Sequence, residues 1–119
     1  ASAAGGYPVT TLDWQSFAYG EGATDVAYFL AGAITPDARR EHGPALLAHY
    51  HETMARHGVT YDPAHFERHF ARGSFQLFLT AFFAAMLVTQ TPRGDDMFFR
   101  MANGAVDQIL DTGAMALLG

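Results

Sequence analysis

Neither cysteine nor lysine occurs in this chain of 119 residues. Without cysteine there is no disulfide framework, no thiolate nucleophile and no zinc–thiolate site, a pattern that fits a reducing compartment, so a cytoplasmic location is expected. Without lysine the chain cannot supply the phosphate-gripping lysine of a P-loop or of a kinase N-terminal lobe. All seven basic residues are arginines and the formal charge is −5. Nucleic acid is therefore not an expected partner, because a binder must neutralise phosphates with clustered cations. Charged residues make up only 16% of the chain. Such a sparse charge predicts exposed apolar surface and a partner that covers it. Long apolar runs are also missing. The longest, Phe75 to Val88, is interrupted by Gln76 and Thr80 and falls short of the ~20 residues a bilayer span needs. It reads as a buried core helix, and no membrane association is expected. The first six residues, Ala1 to Gly6, lack the basic and apolar regions of a signal peptide and read as a loop or a cut end.

What is present is a chain half of whose residues are hydrophobic, enough for one core and a single domain over residues 1–119. The fold class expected is mainly α, with one short N-terminal strand followed by four to five packed helices. Tyr7 to Leu12, β-branched and aromatic after Gly5-Gly6, predicts the strand. Gly20 and Gly22 mark a loop, and Thr24 or Asp25 is placed to cap a helix Val26–Ala33. Thr35-Pro36-Asp37 starts a helix that runs to about His57, with Gly43-Pro44 as a kink or a split and Gly58 as its stop. Asp62-Pro63 starts another, running to about Thr89, where Gly73 is a potential break. Pro92 to Asp95 reads as a turn, and Asp95 or Asp96 starts a last helix ending near Thr112-Gly113. Ala114 to Leu118 reads as a short extra turn. A lone strand leaves its edges unpaired, so it must pair with a strand from elsewhere, either a missing lobe or a second copy in a homo-oligomer.

The densest signal lies between Leu12 and Tyr50. Val9-Thr10-Thr11-Leu12-Asp13-Trp14-Gln15 places a carboxylate at the exit of an apolar strand, followed by an aromatic and an amide. Asp25-Val26-Ala27-Tyr28-Phe29-Leu30 then leads into an apolar helix, and Leu46-Leu47-Ala48-His49-Tyr50-His51 is followed by Gly58-Val59. These elements resemble the aminoglycoside-phosphotransferase and choline-kinase superfamily, most closely its ecdysteroid-kinase-like branch, with its "D-W/F-Q", "D-x-A-Y-F-L" and "L-L-x-x-Y-H … G-V" patterns. The resemblance covers nearly the whole chain. It implies ATP and Mg²⁺ as cofactors and a small-molecule alcohol as phosphoryl acceptor. Asp13 would be the metal-binding aspartate, since phosphoryl transfer is catalysed chiefly by positioning and charge neutralisation. Gln15 would border the nucleotide, or with Trp14 serve packing and hydrogen bonding instead. Asp25 would be structural, accepting backbone hydrogen bonds that hold the catalytic loop. The catalytic loop itself, H-G-D followed by asparagine, has no counterpart here, so the resemblance implies no catalytic base within this chain.

Other groupings weigh less. His65 and His69, four apart, share a helix face, and His49 and His51 flank Tyr50, but neither set has the H-E-x-x-H order, so ordinary polar-face or partly buried histidines are expected. Phe66, Phe70, Phe78, Phe82 and Phe83 read as inter-helix packing in preference to a substrate wall. Glu41, Glu52, Asp62 and Glu67 read as a solvated face. Two functional readings follow. One is the C-terminal portion of an ATP-dependent small-molecule phosphotransferase, inactive alone. The other is a free-standing, homodimeric helical module for binding or assembly, without catalysis.

Overall fold

The computed structural model describes residues 18–119. The expected strand at Tyr7 to Leu12, with Asp13, Trp14 and Gln15, lies outside them. Four α-helices follow in order: α1 Gly22–Ala33, α2 Pro36–Arg56, α3 Pro63–Leu87 and α4 Pro92–Asp111, then a 3-10 helix Ala114–Leu118. The architecture is mainly helical, and there is no strand among the described residues.

Three of the four helix starts repeat one chemical device. Thr35, Asp62 and Thr91 each stand in extended backbone before a proline, and each side chain accepts from a backbone N–H of the first turn, of Ala38, Ala64 and Gly94. Proline lacks an N–H that would in any case be unpaired there, and the side-chain oxygen satisfies another orphan donor. The segment Pro92 to Asp95 is thus the first turn of α4 and not a separate turn before it. The first helix also begins earlier than the caps at Thr24 or Asp25 predict. Glu21 is the residue before it, with no side-chain cap bond, and Asp25 sits inside the first turn.

Two expected breaks are absent. α2 runs unbroken through Gly43 and Pro44, although proline removes the bond residue 44 would donate to the Arg40 carbonyl. Just upstream, the helix is tied to α4: Arg39 donates to the Gly104 carbonyl at 3.1 Å and to Asp111, and Arg40 reaches Asp107 and Asp111. α3 runs through Gly73 because that glycine is a crossing point. A Cβ there would lie 2.8 Å from the Thr24 Cα and 3.0 Å from the Ala27 Cβ of α1.

The core is the junction of α1, α3 and α4. Ala27, Leu30 and Ala31 of α1 are buried, with Leu77 and Ala81 of α3 and Ala105 and Ile109 of α4. One polar group is locked among them. Gln108 Nε2 donates to the Ala27 carbonyl at 2.9 Å and to Ser74 Oγ at 3.0 Å, tying all three helices, while its Oε1 has no hydrogen-bond partner. α3 is long and apolar enough to cross a membrane by length and composition. Its buried residues from Ala71 to Ala81, however, pack at this helical junction, and Phe66 packs on rings of α2 and the α2–α3 turn. The C-terminal half of α3 exposes Leu79, Phe82, Phe83, Met86, Leu87 and Val88.

Candidate functional site

Asp25 and Tyr50, on different motif segments, meet where α1 and α2 pass. Together with Val26, Phe29, Leu30 and Leu46 they line an apolar hollow of about 290 Å³. The Tyr50 ring turns inward over the start of α1, its hydroxyl only 2.6 Å from where a Cβ on Gly22 would stand. A side chain at residue 22 would push the Tyr50 hydroxyl aside. Burial, reinforced by the negative charge of Asp25, raises the Tyr50 pKa above the ordinary phenol value. Asp25 itself is exposed, and the catalytic loop that the resemblance would have it hold has no counterpart in this chain.

Tyr50 continues into a cluster of rings. Phe66 of α3 stands 5.6 Å from Tyr50, 4.6 Å from His51 in an edge-on arrangement and 5.5 Å from Tyr61 in a stack. His51 Nδ1 and the Tyr61 hydroxyl share a hydrogen bond. Burial, then the neighbouring Tyr50, pushes the Tyr61 pKa up. Tyr50-His51 is therefore the element that docks α2 and the α2–α3 turn onto the base of α3, whereas His49 points to solvent.

One further grouping was only half legible. His65 and His69 stack with ring centroids 4.2 Å apart, and Glu21, before α1, places its Oε1 3.3 Å from His65 Nε2. Glu21 carried no signal in the sequence because 44 residues separate it from His65 and only the fold joins them. Elsewhere the acidic residues are dispersed: Asp62 caps α3, while Glu41, Glu52 and Glu67 are exposed.

The phenylalanine stripe divides. Phe66 is buried in the ring cluster, Phe78 packs on the core, and Phe82 and Phe83 are about half exposed. Phe78 and Phe82 join Ala81, Phe98, Phe99 and Ala102 around a hollow of about 320 Å³ between α3 and α4, with Gln90 and Asp95 as its polar residues. Packing accounts for the first half of the stripe and an open apolar wall for the second.

A family model described as "uncharacterized oxidoreductase dhs-27" matches residues 9–111. The chain belongs to this family. The dhs-27 family is related to the ecdysteroid-kinase-like group, and the matched residues take in all three motif segments, from Asp13 through Tyr50. No curated protein and no solved structure matches the chain. Among the described residues, Glu21, His65 and His69 form the one group of three or more potential metal ligands. Two imidazoles suit a softer cation than Mg²⁺, so this group in a member of the dhs-27 family is not a magnesium-type site.

Proposed function

We propose that the chain is the C-terminal helical part of an ATP-dependent phosphotransferase acting on a hydroxyl of a small apolar molecule. The observation that carries this is the family match, which includes the Asp13-Trp14-Gln15 element and relates the chain to the ecdysteroid-kinase-like group. In this reading Asp13 holds Mg²⁺ against the nucleotide phosphates, Gln15 borders the nucleotide and Asp25 is structural, bracing the catalytic loop of the parent enzyme. The hollow between α3 and α4, walled by Phe78, Phe82, Phe98 and Phe99, has the size and apolar character of a small-ligand site. The kinase-like superfamily, the cytoplasmic location and the alcohol acceptor all belong to this proposal. In this reading the lysine and the catalytic loop that phosphoryl transfer needs are supplied by other parts of the enzyme.

The word oxidoreductase in the family's description supports a different chemistry less well. Gly20-Glu21-Gly22-Ala23-Thr24-Asp25 has two glycines of a dinucleotide fingerprint but an aspartate in place of the third. The test is a calorimetric titration with Mg²⁺-ATP, comparing the chain with Asp13→Asn. Binding weakened by the substitution supports the reading. Binding that is unchanged, or none to either, removes the metal role of Asp13.

A second reading is favoured by one observation, the exposed apolar end of α3 from Leu79 to Val88. Under it the chain is a helical assembly module that dimerises through this face. Light scattering separates the two, since a stable monomer at high concentration speaks against the module.

A further inference from the structure

We propose that Glu21, His65 and His69 form a binding site for a divalent transition-metal cation of the zinc type, clamping the start of α1 to α3. One ligand atom from each residue lies within 4.8 Å of the other two. A tetrahedral ion with bonds of about 2.0–2.1 Å holds its ligand atoms roughly 3.3 Å apart. The His65 Nε2 to Glu21 Oε1 separation of 3.3 Å already matches that span. His69 is one helical turn from His65, and its ring is stacked against the first at 25°, so ligation turns the His69 ring out of the stack until its nitrogen faces the same point.

Three further features fit an ion. The Glu21 side chain does not cap the helix it precedes and turns instead to α3. All three residues are partly exposed, His65 by 42% and Glu21 by 51%, which leaves a path for the ion and a fourth position for water. Two neutral imidazoles and one carboxylate give a donor set suited to zinc and unsuited to magnesium. The consequence is structural: the ion fixes the start of α1 on α3, the longest helix among the described residues.

The test is titration of the full chain with Zn²⁺ by calorimetry, with Co²⁺ absorption as a second readout. Changes around established metal sites cost about 10–100-fold in affinity even in the outer shell, so loss of a ligand should cost at least about tenfold. The expected result is one Zn²⁺ per chain, a visible band with Co²⁺, no competition from Mg²⁺, and at least about tenfold weaker binding in Glu21→Gln and in His69→Gln. The two substitutions fall at partly exposed positions, and circular dichroism checks that both variants remain helical. No Zn²⁺ binding, or binding of equal strength in wild type and both variants, overturns the proposal and leaves an ordinary Glu21–His65 ion pair.

Discussion

Adding one methyl group at residue 104 should destabilise the fold far more than adding one at residue 43. Both glycines are buried inside long helices, so intrinsic helix propensity favours alanine at both by about 1 kcal/mol. Their surroundings differ. A Cβ on Gly104 would stand 2.2 Å from the Ala31 carbonyl oxygen, a backbone atom of α1, where ordinary contact begins at 3.4 Å. α1 and α4 must separate by about an ångström, and overpacking of this kind costs roughly 1–3 kcal/mol, occasionally more. The shift also strains the Arg39 bond to the Gly104 carbonyl and the Gln108 bond to Ala27. Gly104→Ala should therefore lose about 1–2 kcal/mol net. A Cβ on Gly43 meets Arg39 Cγ at an ordinary 3.7 Å, but residue 43 precedes Pro44, whose ring crowds a Cβ in the helical region. In Gly43→Ala the propensity gain of about 1 kcal/mol is therefore offset, and the net change should be small. Urea unfolding followed by circular dichroism at constant slope measures both. A midpoint that falls as far in Gly43→Ala as in Gly104→Ala would refute the close crossing at Gly104.

Other substitutions probe other parts of the fold. Partial burial raises the Asp111 pKa, but hydrogen bonds and charge from Arg39 and Arg40 outweigh it, so the carboxyl lies below its ordinary value. A depressed folded pKa gives stability that is present above the unfolded value, about 3.9, and is lost as pH falls through the folded one. Wild type should thus lose more stability on acidification below about pH 4 than Asp111→Asn, as read from urea midpoints across pH. Gln108→Leu should stay within about 1 kcal/mol of wild type because the amide's Oε1 is already unpartnered, whereas Gln108→Ala, which opens a cavity among three helices, should cost about 2–4 kcal/mol. Thr91→Ala removes the cap on Gly94 N and should cost about 1 kcal/mol in thermal or urea unfolding. In the hollow between α3 and α4, Phe98→Ala should weaken binding of a small hydrophobic alcohol in a fluorescence displacement assay, while Phe29→Ala, away from that hollow, should not.

The parts of the fold that were legible in the sequence are those fixed by local chemistry. Thr35-Pro36 and Asp62-Pro63 announce their helices because the cap and the proline act within one turn, and Gly58 and Gly113 end theirs with backbone at positive φ, 76° and 64°. The same device at Thr91-Pro92 is hidden in the segment Pro92 to Asp95, which reads as a turn, yet the Gly94 N–H within it is the one that Thr91 satisfies. Illegible parts depend on partners distant in sequence. Nothing local says that Gly73 and Gly104 are crossing points for α1, or that Arg39 and Arg40 secure the turn before Pro44. Tyr50-His51 was visible as a motif, but its work, closing a ring cluster with Tyr61 and Phe66, appears only in three dimensions. For the candidate site, the His65–His69 spacing was readable from helical period and Glu21 was not.

The central claim, that Asp13 belongs to a magnesium–nucleotide site, can be read directly from its neighbour. Trp14 is the single tryptophan of the chain, so its fluorescence reports on residue 13 without any label. The account predicts a saturable change in Trp14 emission on adding ATP with Mg²⁺, absent with ATP alone and absent in Asp13→Asn. No change on adding Mg²⁺-ATP, or the same change in the variant or without Mg²⁺, would contradict it.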